Sequence, residues 1–400
     1  MKQIILLMVL CFAITSDSYA QTWNQKANMP VIARHRSTAF SIGNKGYVGL
    51  GHLNTVSNIL FDDFWQYNPA SNTWTQKADF AGGARYHAHG FSIGGKAYVG
   101  AGTTTGGNYL DDNWEYDPST NVWTALVDIP TGRRGAISFV VGNLGYLGSG
   151  RSSGGTSNNF YEYDPSTDTW TSIQTFPGSS RLSAVGFAIG AKGYMGTGDL
   201  ISGSATNEFW EYDTVLDAWT QKANVGDSIR QDATGFAMGG TGYIGTGRNP
   251  LLGDDMDDFW QYNVATDTWV EIEEFLGISR RYMVSFVIAN KAYAAIGTNG
   301  INFNDLWEFN PNYSPALWLP EAGNIDIIID KKPNNSFDLK VNNLVGSHDD
   351  LAVVVSNEKG KVIKKLPVNS SEVQLELNDL PANCIYKLMK GGHLIKAGKL

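Results

Sequence analysis

Short apolar stretches, each about five residues long and bounded by turn residues, recur along most of the chain. In one unit, Ala88–Ile93 is small and apolar, Ala97–Gly102 reads Ala-Tyr-Val-Gly-Ala-Gly, and Asn113–Asp117 alternates polar and aromatic positions. Gly94-Gly95 and Pro118–Asn121 separate these stretches, and such residues favour tight reversals. The stretches are too short for helical periodicity, so the pattern predicts four short strands per unit.

The unit recurs six times between Arg34 and Pro311. Each copy carries a tyrosine after a glycine or alanine, 48 to 51 residues from the next: Tyr47, Tyr98, Tyr146, Tyr194, Tyr243 and Tyr293. A lone four-stranded sheet cannot bury its apolar faces, so six sheets are expected to stack around an axis. The repeat therefore predicts an all-β fold, a six-bladed β-propeller.

Further motifs in each copy identify the type of propeller. Glycine pairs follow the repeat tyrosines, and tryptophans follow in motifs such as Phe64–Tyr67 and Thr73-Trp74. With the period, these motifs resemble the kelch repeat family, and the resemblance implies a kelch-type propeller over residues 21–320. Thr22–Ala27 copies Thr73–Ala78 without three strands before it. We therefore expect the Trp23 strand to close the ring as the outer strand of the sixth blade.

The two ends of the chain differ from the repeats. Lys2 followed by the apolar run Ile4–Ile14 and by Ser18–Ala20 predicts a signal peptide over residues 1–20, because the run is too short to span a bilayer. No later segment is long and apolar enough for a transmembrane helix. The protein is therefore expected to be secreted or attached to the outer cell surface.

Past Pro320 tryptophan is absent up to the end of the chain, lysines outnumber acids, and short strand patterns follow one another. We expect residues 321–400 to be a linker and a small β-sandwich. Val353–Val362, Leu377–Pro381 and Ile385-Tyr386 resemble the C-terminal sorting domain of type IX secretion in Bacteroidetes. The family's Tyr-Pro-Asn-Pro opening is missing here. The resemblance implies the type IX secretion machinery as a partner, and an ordinary accessory sandwich is the alternative.

One arginine stands thirteen residues before each repeat tyrosine, where one blade leads into the next. The six are Arg34, Arg85, Arg133, Arg181, Arg230 and Arg280. Guanidinium groups bind carboxylates and phosphates through a planar fork of donors, so this ring is a candidate ligand site at one channel mouth. Structural pairing is the role we favour for most of these arginines, with Asp62-Asp63, Asp111-Asp112 and Asp257-Asp258 as candidate partners, and unmatched members could bind the ligand.

Residues beside these arginines do not repeat, although a scaffold requires only the repeating ones. Further candidate ligand-binding residues are therefore His35, Tyr86, His87, Asp232 and Tyr282. His87 and His89 are two apart on an expected strand and would share a face. No third metal ligand is evident beside them, so we expect no metal site and no cofactor.

Two classes of function fit these features. The first is a non-catalytic binding module for an extracellular glycan or protein, with loops that differ in every blade. The second is a carbohydrate-active enzyme, since kelch relatives include galactose oxidase and sialic acid mutarotases. The oxidase's copper cofactor requires a cysteine crosslinked to tyrosine, and residues 21–320 contain no cysteine. A mutarotase-like role would use Asp232 with His87 or His35 as an acid/base pair.

Net charge narrows the range of partners. The chain carries a formal charge of −9 at pH 7, whereas binding to nucleic acid needs a net basic surface. We therefore expect no nucleic acid partner. Of the two classes of function above, we favour the binding module that does not catalyse a reaction.

Overall fold

The computed structural model describes residues 22–54, 58–200 and 203–311, together with seven strands between residues 326 and 399. The chain divides into two compact units, of which one is Trp23–Pro311 and the other contains the seven later strands. Within the described residues, no helix is long and apolar enough to cross a membrane. The expected signal peptide, residues 1–20, lies outside them.

The first unit consists of six four-stranded antiparallel sheets. The first strand of the chain is β1, Thr22–Lys26. From the innermost strand outward, blade 1 contains β2 (Thr38–Ile42), β3 (Lys45–Gly49), β6 (Phe64–Asn68) and β7 (Thr73–Gln76), and blade 2 contains β8 (His89–Ile93), β9 (Lys96–Gly100), β10 (Asn113–Asp117) and β11 (Val122–Ala125). In the same order, blade 3 contains β12 (Ile137–Val141), β13 (Leu144–Gly148), β16 (Phe160–Asp164) and β17 (Thr169–Ile173), and blade 4 contains β18 (Val185–Ile189), β19 (Lys192–Gly196), β20 (Phe209–Asp213) and β21 (Ala218–Lys222). Blade 5 contains β22 (Thr234–Met238), β23 (Thr241–Gly245), β26 (Phe259–Asn263) and β27 (Thr268–Ile272). Two-stranded ribbons extend blades 1, 3 and 5: β4 (His52–Leu53) with β5 (Ile59–Leu60), β14 (Arg151–Ser152) with β15 (Gly155–Thr156), and β24 (Arg248–Asn249) with β25 (Asp254–Asp255).

The sixth blade joins the two ends of the propeller. It contains β28 (Val284–Ile288), β29 (Lys291–Thr298) and β30 (Asn302–Asn310), and β1 is its outer strand. The innermost strand of each blade packs against that of the next, and β28 packs against β2. These contacts close the ring, so the six-bladed β-propeller expected from the sequence is confirmed.

Aromatic side chains fill the spaces between neighbouring blades, and glycines make room for them. A Cβ atom added to Gly145 of blade 3 would lie 2.5 Å from the Phe91 ring of blade 2, and one added to Gly193 would lie 2.1 Å from Phe139. Both phenylalanines are at least nine-tenths buried. Real Cβ atoms do not come so close, so these glycines allow the blades to pack face to face.

The later unit contains two antiparallel sheets. Their strands are β31 (Asp326–Lys332), β32 (Ser336–Asn342) and β35 (Val373–Leu377) in one sheet, and β33 (Leu351–Ser356), β34 (Val362–Pro367), β36 (Ile385–Lys390) and β37 (His393–Lys399) in the other. The strand patterns expected after Pro320 correspond to β32–β37, and β31 is an additional strand. Val353 and Val355 of β33 are buried.

Candidate functional site

The six arginines that precede the repeat tyrosines are buried inside the blades. At most 2% of each residue is exposed: Arg34, Arg85, Arg133, Arg181, Arg230 and Arg280. In every case Nη1 donates to the backbone carbonyl sixteen residues later: Leu50, Ala101, Ser149, Thr197, Thr246 and Ile296. We call this set the arginine ring. Each guanidinium thus ties the start of a blade to the end of its second strand.

Five of the six guanidinium groups also form an ion pair. Their partners are Asp63, Asp112, Glu208, Asp258 and Asp305 for Arg34, Arg85, Arg181, Arg230 and Arg280. Each carboxylate lies two residues before the tryptophan of its blade, whose indole N–H donates to the same group, as from Trp260 to Asp258 at 2.6 Å. Buried charges require such partners. The structure therefore favours the structural role for the arginine ring over direct ligand binding.

Blade 3 departs from this arrangement at two linked positions. Asn159 stands where the other blades have a carboxylate, and Tyr161 stands where they have tryptophan. Nη1 of Arg133 donates instead to the Asn159 carbonyl at 3.3 Å, and the Tyr161 ring lies 5.1 Å from its Cζ. Nη2 of Arg133 has no hydrogen-bond partner among the described residues. The carboxylate and the tryptophan are thus replaced together.

A second ring lies two residues after the first and surrounds the propeller axis. It consists of Arg36, His87, Gly135, Ser183, Asp232 and Tyr282, all with φ between 51° and 60°. Five successive backbone hydrogen bonds of 2.8–3.3 Å link these residues from blade to blade, from the N–H of one to the carbonyl of the previous one. We call this set the cavity ring. Left-handed conformations are strained for residues other than glycine and often mark functional positions.

The cavity ring lines an open cavity of about 160 Å³. The next residue of each blade and Val284 complete its wall; the six next residues are Ser37, Ala88, Ala136, Ala184, Ala233 and Met283. Five of these six side chains are small, whereas those of the cavity ring range from none to arginine. No member of the arginine ring lines the cavity. The chemistry of this cavity is therefore set by the cavity ring.

Arg36, Tyr282 and Asp232 form a polar group on one side of the cavity. Nη2 of Arg36 donates to the Tyr282 hydroxyl at 2.9 Å, and its Cζ lies 4.5 Å from the centre of the tyrosine ring. Asp232, only 4% exposed, accepts from the Gln231 amide at 3.0 Å. Burial raises the pKa of Asp232 to about 6, although hydrogen bonds and the charge of Arg36 oppose the rise.

Neutral histidines and further aromatic rings flank this group. Burial and the charges of Arg36 and Arg134 hold the pKa of His87 well below its usual value, and its ring lies 5.6 Å from that of Tyr282. The His35 ring lies 5.5 Å from Tyr282, and its Nδ1 hydrogen-bonds Asn302 at 2.8 Å. Burial, above all, lowers the pKa of His35 to about 3. These imidazoles are uncharged at neutral pH.

The candidate residues from the sequence thus separate into three positions. His87, Asp232 and Tyr282 line the cavity. His35 and Tyr86 lie one residue earlier in their blades and flank it, with Arg36 5.6 Å from the Tyr86 ring. The arginine ring lies inside the blades, as described above. Arg36 and Ser183 line the cavity and were not expected, although counting two residues from each ring arginine finds both.

His89 does not share a site with His87. His87 lies before β8 in a left-handed conformation, so the alternation of a strand does not hold between the two residues. His89 is 3% exposed and is not part of the cavity wall. Within the described residues, no three His, Cys, Asp or Glu side chains lie where they could hold a metal ion.

Comparison with known proteins agrees with this fold. A family model described as the KLHDC2/KLHL20/DRC7 Kelch-repeats domain matches residues 77–237. Among solved structures, that of YjhT is similar with a TM-score of 0.58 at 20% sequence identity, covering 70% of this chain and 96% of the YjhT chain. No curated protein matches the chain. The kelch-repeat match thus covers residues 77–237 of the six-bladed propeller. At this identity the likeness to YjhT concerns the fold alone.

Proposed function

We propose that this kelch propeller is a non-catalytic binding module, secreted or held at the outer cell surface, whose axial cavity binds one sugar residue of an extracellular glycan. The observation that carries the proposal is the cavity ring. Six positions share one backbone conformation, yet their side chains are Arg, His, Gly, Ser, Asp and Tyr. Because the scaffold uses only the backbone there, the choice of side chains is free to serve a ligand.

The size of the cavity favours a single sugar ring over a protein segment. A cavity of about 150 Å³ holds a molecule the size of benzene, and the volume of the cavity that the cavity ring lines is about 160 Å³. One pyranose ring is of comparable size, whereas a peptide loop would need a longer groove. The protein ligand that the sequence left open is therefore the weaker choice.

The groups in the wall suit the mixed surface of a sugar. Arg36 and Ser183 can donate hydrogen bonds, the Asp232 carboxylate can accept them, and Tyr282 offers an aromatic face. Binding sites for small molecules combine apolar walls with a few such polar groups. Met283, where four of the other blades have alanine, adds an apolar patch to the wall.

A glycan array tests this proposal. The full chain is compared with Arg36→Ala and Tyr282→Phe, and Arg248→Ala serves as the control because it removes an arginine from a ribbon outside the cavity wall. We expect binding to a restricted set of terminal sugars, loss of at least tenfold in affinity for Arg36→Ala, and no change for the control. Absence of binding to any glycan, or equal binding by all variants, would refute a sugar site in this cavity.

The two ends of the chain support a proposed route to the cell surface. Residues 1–20 have the charge, apolar run and small residues of a signal peptide. We propose that the seven later strands form a β-sandwich that acts as a type IX sorting domain, on the strength of the motifs in β33 and β36. Deleting residues 321–400 should leave the protein in the periplasm. Unchanged surface exposure to added protease would contradict this role.

A second candidate function is a sugar mutarotase, the enzyme class that fits the sequence as the alternative to a binding module. The observation that favours it is Asp232, whose burial raises its pKa to about 6 beside the Tyr282 hydroxyl. Opening a sugar ring requires a base and an acid within hydrogen-bonding reach, and a base works best with a pKa near the ambient pH. Binding alone would not need a carboxyl group with this property.

Anomer exchange measured by NMR separates the two functions. A mutarotase should accelerate interconversion of a free reducing sugar that binds on the array, with a rate that rises with pH through about 6 as Asp232 loses its proton. Asp232→Asn should abolish the acceleration while retaining binding. A wild-type rate equal to that of buffer alone would leave the binding module as the function.

A further inference from the structure

The residue that follows each ring arginine pairs across an antiparallel bridge with the residue five positions after the repeat tyrosine. The pairs are His35/His52, Tyr86/Thr103, Arg134/Arg151, Leu182/Asp199, Gln231/Arg248 and Arg281/Thr298. In blade 3 the two backbones exchange both hydrogen bonds, each of 2.9 Å. Residues paired in this way have Cα atoms about 5.5 Å apart and side chains on the same face. Arg134 and Arg151 therefore lie side by side.

Blade 3 is the one blade in which both members of this pair carry the same charge. Like charges directly opposite each other on paired strands are destabilising. Neither Arg134 nor Arg151 forms an ion pair with any described residue, and Nε of Arg134 is buried without a hydrogen-bond partner. Two basic side chains thus remain unneutralised at adjacent positions.

The arginines at the equivalent positions of blades 5 and 6 are arranged differently. Arg281 contacts Asp255 at 2.6 Å, and Arg248 lies 3.8 Å from the same residue. Their carboxylate belongs to the β24–β25 ribbon of blade 5. The ribbon of blade 3, β14–β15, has no acidic residue beside Arg151. The residue beside Arg134 that corresponds to Asp255 is Tyr109 of blade 2. Neither arginine therefore has the carboxylate partner that Asp255 provides for Arg248 and Arg281, and an external anion can fill that role.

The wall of the axial cavity lacks a cavity-ring side chain at blade 3, the blade of these two arginines. Gly135, the residue after Arg134, is the cavity-ring member without a side chain. Arg134 is also close enough to His87, on the cavity wall, to influence its ionisation. A group attached to a ligand in the cavity can therefore pass over Gly135 toward Arg134 and Arg151.

We propose that Arg134 and Arg151 bind an anionic substituent, a carboxylate or a sulfate ester, of the sugar that occupies the axial cavity. Guanidinium groups are suited to such oxyanions because their planar donors match two oxygens at once. This inference rests on the proposed sugar site and names its ligand as an acidic sugar. The Tyr109 ring, 5.8 Å from Cζ of Arg134, lies beside the anion site.

Sulfate is the probe that tests the arginine pair without any sugar. Calorimetric titration at constant ionic strength compares the full chain with an Arg134→Gln/Arg151→Gln variant, and Arg281→Gln serves as the matched control because its partner is Asp255. We expect the double variant to bind sulfate at least about tenfold more weakly, since it loses the charge-assisted hydrogen bonds of both guanidinium groups. The control should bind as the wild type does.

Crystals soaked in selenate locate the anion by anomalous scattering. A peak between the Arg134 and Arg151 guanidinium groups is expected in the wild type and should be absent in the double variant. Selenate found elsewhere, or equal sulfate affinity in both proteins, would overturn the inference.

Gly135→Ser then connects the anion site to the cavity. The serine has a precedent at the equivalent position, Ser183, which adopts the same left-handed conformation. It should leave free sulfate binding unchanged and weaken the acidic sugar found on the array. Glycan binding that persists at full strength in the double variant would refute the anion site and leave the sugar site standing. Sulfate binding at the arginine pair without binding to any glycan would support the anion site and refute the sugar site.

Discussion

The arginine ring and the cavity ring lie two residues apart in every blade, yet they use sequence in opposite ways. At the first position the side chain is always arginine, and it binds carbonyl groups of its own blade and, in five of the six blades, a carboxylate as well. At the second the backbone makes the ring through its left-handed conformation and its hydrogen bonds, and the side chain is different in each blade. In this propeller, regularity therefore marks the scaffold and variation on a regular backbone marks the candidate site.

The largest expected effect comes from removing a member of the arginine ring. Arg280 is 1% exposed and binds the carbonyls of Ile278 and Ile296 and the carboxylate of Asp305. Arg280→Ala leaves that carboxylate and those carbonyls without their partner. We expect a loss of about 3–5 kcal/mol in the free energy of unfolding, measured by urea denaturation.

Arg36→Ala on the cavity ring is the matched change. Its described side-chain contacts are the Tyr282 hydroxyl and two aromatic rings, so we expect it to cost about 1 kcal/mol or less. Sugar binding should respond in the opposite order, with a large loss for Arg36→Ala. A stable Arg280→Ala protein that no longer bound its sugar would reverse the assignment of the two rings.

The same contrast explains what the sequence alone could predict. Blade packing fixes the turn glycines and aromatic residues at a regular period, so the propeller and the closing role of the Trp23 strand follow from spacing. The period also located the arginine ring. It could not assign the role of that ring, because the role depends on which polar atoms face Nη1 and Nη2 after folding.

Only some residues of the cavity ring could be predicted from the sequence. His87, Asp232 and Tyr282 were selected because they are polar or aromatic residues beside an arginine. Arg36 and Ser183 were omitted, because sequence does not show that the second residue after each ring arginine turns toward the axis with a positive φ. Arg36 was also hard to recognise as a site residue, because Arg34, two positions before it, is the arginine that fits the repeat.

A smaller effect is expected at Asp232, a residue of the candidate site whose burial lowers the free energy of unfolding. Burial raises its pKa from 3.8 to about 6, so the folded protein holds a proton that the unfolded chain has lost. The contribution of Asp232 to the free energy of unfolding must therefore fall as pH rises from about 4 to about 6, by up to about 3 kcal/mol, since one pKa unit corresponds to 1.36 kcal/mol. Asp232→Asn should remove this loss. Relative to wild type it should be more stable at pH 8 and similar at pH 4, as measured by urea denaturation at both values.

Arg280→Ala serves as the reference for this pH dependence, because the hydrogen bonds that it removes from the carbonyls of Ile278 and Ile296 do not titrate, and its cost should therefore persist at pH 4 and pH 8. An Asp232→Asn variant that was less stable than wild type at pH 8 would mean that the hydrogen bonds of Asp232 outweigh its burial. The carboxylate would then belong with the scaffold.

The smallest effect is expected within the arginine ring, where blade 3 differs from the other five blades. In blade 3, Nη2 of Arg133 lacks a hydrogen-bond partner, and Asn159 occupies the position that a carboxylate holds in the other blades. Asn159→Asp should supply the missing partner. Asn159 is exposed, so solvent screens the new ion pair, and we expect a gain of about 0.5–1 kcal/mol in the free energy of unfolding that shrinks in 1 M salt.

Asp112→Asn in blade 2 is the reverse change at the equivalent position. It should cost more than Asn159→Asp gains, because Asp112 also accepts the indole N–H of Trp114 at 2.8 Å, and blade 3 has Tyr161 in place of that tryptophan. Combining Asn159→Asp with Tyr161→Trp should therefore add to the gain. If Asn159→Asp destabilised the protein, the new carboxylate would not reach Nη2 of Arg133, and position 159 would not be equivalent to the carboxylate positions of the other blades.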